Sequence, residues 1–370
     1  MSHPDPSVAF VVANYPPHSG GVQQHVQAVA HRLVKRGVPT TVYCCEDPGQ
    51  RFDRGVRVMG MGRHAEVGNV ISFPDPHWWG SLGRELQRTA VSAISVHTRF
   101  FPATWLGVGA ARRAGIPVVV TEHGGGSVKT DSPAIQAASR VVDRSLGRWA
   151  VRQADGVTAV SQRAAEFTAA LSGRQALVIP NGIDVDFWKQ AKSASQPTRL
   201  LFVGRLVAEK GWRTFLDIVR ASPADISAYV VGGGPDLDAV QVAATEGDLA
   251  GRVEVTGAVS REELRNLYPD CVYVNPSTAA EGCQTTLLEA AACGARIASY
   301  DVGGAAEVAQ IGAQIEIVPT GHAEALAGIV RHLLAQEPAA APDMTEFSWD
   351  RIVDEYISVF ANTHSGQGLK

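Results

Sequence analysis

The sequence contains little of what marks several common protein classes. It has five cysteines, an odd number, and no Cys-x-x-Cys pair, so neither a disulfide framework nor a zinc site is predicted. The formal net charge is −4, and only six of the 33 basic residues are lysines. Because the basic residues are spread along the chain rather than clustered, we expect no binding to nucleic acid.

Long apolar runs are also missing from the chain. No segment approaches the ~18 apolar residues that a membrane-spanning helix requires. The polar start, Met1–Ser7, lacks the basic region followed by an apolar run that marks a secretory signal. We therefore expect a cytoplasmic protein without integral membrane association.

What the sequence does contain is a regular alternation of two patterns. Short runs rich in β-branched residues alternate with segments whose apolar residues recur at helical spacing. This alternation predicts parallel sheets covered by helices on both faces. In the first half of the chain the predicted strands are Val8–Ala13, Thr40–Cys44, Ala93–His97, Pro117–Thr121, Gly156–Val160 and Ala176–Ile179.

The same pattern restarts in the second half. The predicted strands there are Arg199–Val203, Ser227–Val231, Val253–Thr256, Val272–Asn275 and Arg296–Ser299. The polar stretch KQAKSASQP, within Val185–Pro197, is predicted to be a linker between two domains. A length of 370 residues is typical of two domains, which we place at 1–188 and 198–340. A last helical stripe begins at Trp349 and predicts a terminal helix over 347–362.

Two carboxylates eight residues apart, Glu281 and Glu289, enclose the segment EGCQTTLLE. Glu281 follows a predicted strand and its loop, and the apolar pattern places Glu289 about one turn inside the next helix. The backbone N–H groups of Gln284, Thr285 and Thr286 then point out of that helix end, which suits a diphosphate. Taken alone, two acids at this spacing are more typical of an ordinary loop residue and a partly exposed helix residue.

A second charged segment, FVGRLVAEKG, follows the predicted strand that ends at Val203. Gly204 allows a tight turn, and Arg205 and Lys210 follow it. The two cations could hold a diphosphate, because a charge-assisted hydrogen bond contributes about 1.5–3 kcal/mol. The alternative is that both are ordinary solvent-exposed charges.

Glycine-rich loops follow other predicted strands. Gly233 lies in the segment VVGGGP, where the backbone could approach a base or a ribose, and Asn181-Gly182 marks a turn. The first glycine pair of the chain, Gly20-Gly21, lacks the G-x-G-x-x-G pattern. A dinucleotide-dependent oxidoreductase is therefore disfavoured.

Taken together, these segments resemble the family 4 retaining glycosyltransferases, which have the GT-B fold. Eight segments follow one another in the order of that family and cover nearly the whole chain. They are SGGVQQHV (19–26), TEHGG (121–125), AVS (159–161), IPNGID (179–184), FVGRLVAEKG (202–211), VVGGGP (230–235), EGCQTTLLEAAACG (281–294) and DVGGAAEV (301–308).

The resemblance implies an α/β fold of two Rossmann-like domains whose parallel sheets face a central cleft. It also implies that the terminal helix crosses back to the N-terminal domain. A nucleotide diphosphate sugar would bind the C-terminal domain, with Glu281 near the sugar hydroxyls and Glu289 on the ribose. Arg205 and Lys210 would stabilise the leaving diphosphate. The other donor contacts that the resemblance and the loops suggest are Gly20, Gly21, Gly204, Gly233, Gly282, Cys283, Gln284, Thr285 and Thr286.

The resemblance implies that the N-terminal domain binds the acceptor. His123, at the end of a predicted strand, maps to a histidine close to the reacting sugar, although the residue could equally be a turn residue before three glycines. The acceptor-binding candidates are His18, His97, Arg99 and Gly124, together with Trp78-Trp79 and the rest of the loop to Lys129. No basic amphipathic stretch is evident, which favours a soluble acceptor over a lipid.

The chain departs from the family at Cys283-Gln284, where Phe and then Gly are usual. We therefore expect a donor preference of its own, and we expect Gln284 to contact the sugar or narrow the pocket. A nucleophilic role for Cys283 is not predicted.

The resemblance implies retaining transfer of a hexose or amino-hexose without a protein nucleophile. The acceptor is a small-molecule or glycan hydroxyl, UDP ranks ahead of GDP as the nucleotide, and no metal or other cofactor is required. Bacterial natural-product or glycan biosynthesis fits this chemistry, and the chain could be a monomer or a homodimer. Alternatives are an epimerase or phosphorylase of the same fold, or a non-catalytic nucleotide-sugar-binding subunit.

Overall fold

The computed structural model describes residues 7–18, 20–67, 71–127, 132–189, 197–337 and 339–364. The chain divides into two compact units, one of Met1–Gly182 with Trp349–Lys370 and one of Ile183–Ser348. Most of the predicted linker, residues 190–196, lies outside the described residues. The short helix before it buries Trp188, and its carbonyl accepts a bond from Cys293 of the second unit. The second unit therefore begins at Ile183, before the predicted boundary at 188.

The first unit contains an eight-stranded sheet in the order β10-β9-β8-β7-β1-β2-β4-β3, parallel except for β3. Its strands, with a separate two-stranded β5–β6 pair, are β1 Val8–Val12, β2 Thr40–Cys44, β3 Gly49–Asp53, β4 Val56–Gly60, β5 Ala65–Val67, β6 Ile71–Phe73, β7 Ala93–His97, β8 Val118–Glu122, β9 Gly156–Ala159 and β10 Leu177–Val178. Its helices are α1 Gly21–Lys35, α2 Trp78–Arg88, α3 Pro102–Ala114, α4 Pro133–Val142, α5 Arg148–Gln153, α6 Gln162–Ser172 and α14 Trp349–His364, with a π turn over Asp143–Gly147 between α4 and α5.

Both faces of this sheet are buried, as the apolar strands predict. Side chains alternate along a strand, so Val8 and Phe10 of β1 pack in one core while Ala9 and Val11 pack in the other. The first core includes apolar residues of α1 and α14, and the second includes those of α2, α3 and α5. The terminal helix α14 therefore belongs to the first unit.

Sequence patterns missed β3 to β6 in this unit. β3 lies at the edge of the sheet and is largely exposed, with Phe52 among its exposed side chains. Its run, GQRFD, has neither the length nor the apolar content of a buried strand. The observed strands at the centre of the sheet, β1, β2, β7 and β8, differ from their predicted bounds by one residue at most.

The second unit contains a six-stranded, all-parallel sheet in the order β13-β12-β11-β14-β15-β16. Its strands are β11 Arg199–Val203, β12 Ser227–Val231, β13 Val253–Gly257, β14 Cys271–Asn275, β15 Arg296–Tyr300 and β16 Ile315–Val318. Its helices are α7 Val185–Trp188, α8 Trp212–Arg220, α9 Leu237–Ala244, α10 Arg261–Leu267, α11 Thr285–Ala292, α12 Ala305–Gln310 and α13 Ala323–Ala335. β14 and β15, near the centre, are buried along their whole length.

Among the described residues, no helix combines the length and the apolar character that crossing a bilayer requires.

Candidate functional site

The sheet of the second unit reverses its strand order between β11 and β14. Strands β11, β12 and β13 follow one another to one edge, and β14, β15 and β16 follow one another to the opposite edge. Ligands of open α/β sheets bind at such a reversal, outside the carboxyl ends of the strands. Lys210 lies in the segment that leaves β11, and Glu281 lies in the loop that leaves β14. The topology therefore brings the two charged segments to one point.

Lys210 and Glu281 form an ion pair there. Lys210 Nζ lies 2.6 Å from Glu281 Oε1, and both side chains are partly exposed. Arg205, five residues earlier on the same loop, is exposed and has no ion pair among the described residues. The loop thus offers one cation that is already paired with a carboxylate and one that remains open to a ligand.

Backbone contacts hold these two loops together. The Thr278 N–H donates to the Glu209 carbonyl at 2.8 Å. Gly211 has a φ of +78°, and a Cβ at this residue would lie 2.2 Å from the carbonyl oxygen of Pro276. Only glycine fits this close approach of one backbone to another, so the residue next to Lys210 fixes the position of that lysine.

A second close approach joins the loops that leave β11 and β12. A Cβ at Gly232 would lie 1.9 Å from the carbonyl oxygen of Gly204, and the Leu206 N–H donates to the Gly233 carbonyl at 2.9 Å. A Cβ at Gly233 itself would meet no atom within 4 Å. A Cβ at Gly234 would lie 2.4 Å from the carbonyl oxygen of Leu206. The glycine requirement in the VVGGGP segment therefore falls on Gly232 and Gly234, whereas Gly233 faces open space.

Helix α11 begins at Thr285 with its first turn uncapped by a side chain. The Gln284 N–H donates to the Gly303 carbonyl at 3.1 Å, so the prediction that this N–H points outward is wrong. The N–H groups of Thr285 and Thr286 have no acceptor among the described residues, as expected for the start of a helix. The Thr286 hydroxyl accepts a hydrogen bond from the Tyr273 hydroxyl at 2.9 Å.

Gln284 is buried and turns its side chain toward the sheet. Its Oε1 accepts a hydrogen bond from Asn275 Nδ2 at 2.7 Å, and the same nitrogen also donates to Ser299 Oγ at 3.1 Å. Gln284 Nε2 is buried without a partner among the described residues. Cys283 beside it is buried too. The loop after β15 packs directly on this segment, since a Cβ at Gly303 would lie 1.8 Å from the Gly282 carbonyl oxygen.

Glu289 lies one turn into α11, as the sequence predicts. Burial raises the pKa of its carboxyl to about 7, and the nearby charge of Arg261 only partly opposes this rise. Near neutral pH the side chain is therefore close to the midpoint of its titration.

The sheet of the first unit also reverses its strand order, between β1 and β7. Gly20-Gly21 follows β1 and opens α1, His97 is the last residue of β7, and His123 follows β8. A Cβ at Gly20 would lie 2.3 Å from Gln23 Oε1, whereas a Cβ at Gly21 would meet no atom within 4 Å. The glycine pair and the two histidines are therefore placed at one reversal point.

His123 is hydrogen-bonded to His97, with 2.9 Å between His123 Nε2 and His97 Nδ1. The other nitrogen of His97 lies 3.1 Å from Ser95 Oγ. Burial and the nearby histidines lower the pKa of both imidazoles well below the ordinary value. Both rings are therefore neutral at physiological pH. In the His97–His123 hydrogen bond, one ring donates its N–H and the other accepts it.

A third histidine, His25 of α1, completes this cluster. His25 Nδ1 lies 3.0 Å from Asn181 Oδ1 and His25 Nε2 lies 3.0 Å from the Tyr356 hydroxyl. The amide oxygen can only accept, so Nδ1 carries the proton and Nε2 accepts from the tyrosine. Burial lowers the pKa of His25 to about 4. The terminal helix thus fixes the tautomer of a histidine next to the candidate site.

The three histidines lie close enough for a metal ion, since one nitrogen of each lies within 4.8 Å of the others. A metal ligand must offer a free lone pair. Both nitrogens of His25 and of His97 are already in hydrogen bonds. We therefore interpret the cluster as a hydrogen-bonded network rather than a metal centre.

Arg99 is fully buried between two carboxylates. It makes ion pairs with Glu122 at 3.0 Å and with Asp143 at 2.9 Å. Burial lowers the pKa of Arg99, but the two carboxylates more than offset this effect and the net shift is upward. Glu122 accepts from the Gly124 N–H at 2.8 Å, and Arg99 Nη2 donates to the Gly126 carbonyl at 3.2 Å. This network therefore holds the loop that begins at His123.

These contacts change the predicted acceptor-binding residues. His97 and Arg99 are 1% exposed and have all their described partners within the first unit, so we correct both from acceptor contacts to residues that hold the loop. Gly124 is partly exposed in that loop, and His18 is exposed, 3.3 Å from Arg63. Residues 128–131, the rest of the proposed acceptor loop, lie outside the described residues.

Residues 19–187 match the family model for Glycosyltransferase Family 4, and residues 197–336 match the model for Glycosyl transferases group 1. The two matches are consecutive and together span most of the chain. The chain belongs to the family 4 glycosyltransferases. It is thus an enzyme that transfers sugars, which favours the transferase prediction over the epimerase, phosphorylase and binding-subunit alternatives.

Individual proteins and a solved structure are also similar to the chain. The chain is 27% identical to the 2-deoxystreptamine glucosyltransferase of Streptomyces kanamyceticus over 70% of each chain. It is also 27% identical to the D-inositol 3-phosphate glycosyltransferase of Nocardiopsis dassonvillei, over 92% of this chain and 89% of that protein. The solved structure of Anabaena Alr3699/HepE in complex with UDP superposes with a TM-score of 0.71 at 18% identity, covering 98% and 97% of the two chains. This last likeness shows the GT-B fold.

Sequence analysis of this glycosyltransferase missed several residues that the structure places beside the predicted ones. His25 and Asn181 lie within motifs that carried the resemblance, SGGVQQHV and IPNGID, but had no role of their own. Glu122 also lies within such a motif, TEHGG, without a role of its own. Asp143 gave no signal, because a buried carboxylate cannot be told from an exposed one without knowing which side of the element faces the core.

Proposed function

We propose that this glycosyltransferase transfers a hexose or amino-hexose from a nucleotide diphosphate sugar to a hydroxyl of a small molecule or glycan, with retention of anomeric configuration. The observation that carries the donor assignment is the Lys210–Glu281 pair at the strand reversal of the second unit, beside the open start of α11. We rank a UDP-sugar ahead of a GDP-sugar because the Alr3699/HepE structure was solved with UDP. A GDP-sugar ranks next, because a relative of 27% identity is named as GDP-mannose-dependent.

Each charged residue has a separate role in this proposal. Arg205, Lys210 and the free N–H groups at the start of α11 bind the diphosphate. Glu281 accepts hydrogen bonds from the sugar hydroxyls and orients Lys210 through their ion pair. Glu289 accepts hydrogen bonds from the ribose. The buried Nε2 of Gln284 is the candidate donor group for a sugar hydroxyl, because it lacks a protein partner.

We propose that the first unit binds the acceptor, and that His123 and Gly20-Gly21 lie on the side of this unit that is close to the reacting sugar. Burial, together with the nearby His25 and His97, lowers the pKa of His123 and keeps its ring neutral, and the hydrogen bond with His97 sets the ring orientation. In the transfer, the bond from sugar C1 to the diphosphate oxygen breaks, and a new bond forms from C1 to the acceptor oxygen on the same face. The acceptor proton passes to the departing diphosphate, whose negative charge the cations stabilise. We propose a cytoplasmic bacterial enzyme, as a monomer or homodimer, in natural-product or glycan biosynthesis.

A screen of UDP-, GDP- and dTDP-sugars tests the donor assignment. We expect one nucleotide class to raise the melting temperature, because a ligand that binds only the folded state stabilises it. The same donor should release free nucleotide slowly with water as acceptor. NMR of the transferred sugar should show the anomeric configuration of the donor. Inverted product would contradict the retaining assignment, and the absence of stabilisation by all three classes would contradict the donor site.

Metal independence is a separate expectation. If Arg205, Lys210 and the start of α11 neutralise the diphosphate, nucleotide release should be unchanged after dialysis against EDTA. Activity should also show no response to added Mg²⁺ or Mn²⁺. A strict requirement for either ion would assign part of that charge stabilisation to a metal instead.

The raised pKa of Glu289 predicts that donor binding depends on pH near neutrality. The carboxylate form accepts hydrogen bonds from both ribose hydroxyls, whereas the protonated form accepts fewer. As pH rises through about 7 the carboxylate becomes dominant, so the KM for the donor should fall. The variant Glu289→Gln should lose this transition and keep a high donor KM at all pH values. An identical KM profile in the variant would exclude Glu289 as the titrating group.

A further inference from the structure

Helix α4 is rich in apolar residues, yet its described side chains are not buried. None of the described side chains of Pro133–Val142 is buried, and Ile135 and Val141 are 57% and 67% exposed. An amphipathic helix on a globular protein ordinarily packs its apolar residues against the core. Most of the apolar side chains of α4, Ile135 and Val141 among them, are therefore exposed rather than packed on the core.

The exposed apolar character continues into α5. Leu146 and Trp149 are exposed, while Asp143, Gly147 and Ala150 form the buried side of the same helical segment. The segment from residue 133 to 153 is thus anchored through its second half and presents large apolar side chains along its outer side.

A further tryptophan adjoins this segment. A Cβ at Gly109 would lie 3.6 Å from Arg113 Nη1 and 3.9 Å from the Trp149 ring, and Arg113 Nη2 donates to the Trp79 carbonyl at 2.8 Å. Trp79 is exposed as well. Five of the eight exposed large apolar side chains among the described residues therefore belong to one region. We call the outer side of residues 133–153, together with Trp79 and Arg113, the α4–α5 surface.

The charge on the α4–α5 surface has one sign. Arg113, Arg140, Arg144 and Arg148 are exposed, and none of them has an ion pair among the described residues. The segment 133–153 contains a single acid, Asp143, which is buried and bound to Arg99. Large apolar side chains thus alternate with cations that have no ion pair among the described residues. The expectation that the chain contains no basic amphipathic stretch is therefore wrong for this segment.

We propose that the α4–α5 surface docks the enzyme on a lipid surface that carries anionic headgroups. Exposed tryptophan, leucine, isoleucine and valine side chains enter the boundary between headgroups and acyl chains. The arginines bind headgroup phosphates while their apolar stems lie along the same boundary. The enzyme then associates peripherally and without a spanning helix.

The charge also decides against a symmetric pairing of two such surfaces. In a two-fold dimer the same patch meets itself, so four arginines would face four arginines with no acid to neutralise them. An anionic lipid surface offers an apolar phase for the exposed apolar side chains and negative charge for the arginines.

Cosedimentation with vesicles tests the proposal. The wild-type enzyme should pellet with vesicles of phosphatidylcholine and phosphatidylglycerol but far less with phosphatidylcholine alone, and added salt should weaken the binding. The double variants Val141→Ser/Leu146→Ser and Arg144→Gln/Arg148→Gln should each reduce the fraction bound about tenfold, because each removes one of the two attractions. All variants should keep the wild-type circular dichroism spectrum and melting temperature.

Matched controls lie in the second unit. Val242, which is 60% exposed on α9, and Arg331, which is exposed on α13, provide Val242→Ser and Arg331→Gln, and both should bind as the wild type does. Binding that is absent for the wild type, or equal in the α4–α5 variants and the controls, overturns the proposal. Lipid-independent self-association that the same double variants abolish would instead make the surface an interface between copies and would equally overturn it.

Discussion

Replacing Lys210 by alanine should lower kcat about 10²–10³-fold, the usual cost of removing one group that stabilises developing charge. The melting temperature should change little, because Lys210 and Glu281 are both partly exposed and surface ion pairs contribute little to stability. The donor KM should change less than kcat, since Arg205 and the start of α11 still bind the ground-state diphosphate. Steady-state nucleotide release measures both constants.

The matched control for this prediction is Lys189→Ala. Lys189 is an exposed lysine of the same unit, and its hydrogen bonds with Arg265 and Val185 use its backbone carbonyl and N–H rather than its side chain. This variant should keep wild-type kcat and KM. Wild-type turnover in the Lys210 variant would remove Lys210 from the reaction and leave the Lys210–Glu281 pair as a structural contact.

Replacing Arg99 by methionine should destabilise the protein by about 3–5 kcal/mol, because the change leaves Glu122 and Asp143 buried without their cation. Methionine keeps most of the apolar volume. The decrease in the free energy of unfolding therefore measures the removal of the charge rather than the creation of a cavity. Urea unfolding of the wild type and the variant measures the difference. The surface pair Arg112–Asp155 is the matched control, and Arg112→Met should cost about 1 kcal/mol or less.

The pH dependence identifies the cause of the Arg99 effect. Without the guanidinium, burial raises the pKa of the two carboxyls in the folded variant above their unfolded values. The folded variant then holds protons that the unfolded chain has released, so its stability falls as pH rises through that interval. The deficit relative to the wild type should therefore be smaller at pH 5 than at pH 8. A deficit that is the same at both values would point to lost packing instead.

The Arg99 variant also tests how the loop after β8 is held. Arg99 and Glu122 bind the backbone at Gly126 and Gly124, the residues that follow His123. Under conditions where the variant remains folded, we expect kcat to fall with the donor KM unchanged, because the charged donor residues Arg205, Lys210, Glu281 and Glu289 belong to the other unit.

The fold class and the order of the elements could be predicted from the sequence alone. Central parallel strands are buried on both faces, so they are continuous apolar runs whose ends are visible from composition. The edge strand β3 pairs with a neighbour on one side only and is largely exposed, so it needs no continuous apolar run and was missed. The charged residues of the second unit were likewise visible in sequence, because each follows a strand whose end could be predicted.

Which of those residues contact one another depends on the three-dimensional fold and could not be predicted from the sequence. Lys210 and Glu281 are 71 positions apart in the chain, and they pair because the strand order places β14 beside β11. His25, Asn181 and Tyr356 come from three distant segments and meet in one hydrogen-bonded cluster. Sequence periodicity specifies which face of an element is apolar, but the partners of a polar side chain depend on strand order and burial. For the same reason His97 and Arg99, both candidates for binding an acceptor from sequence, proved to be buried residues that hold the loop of His123.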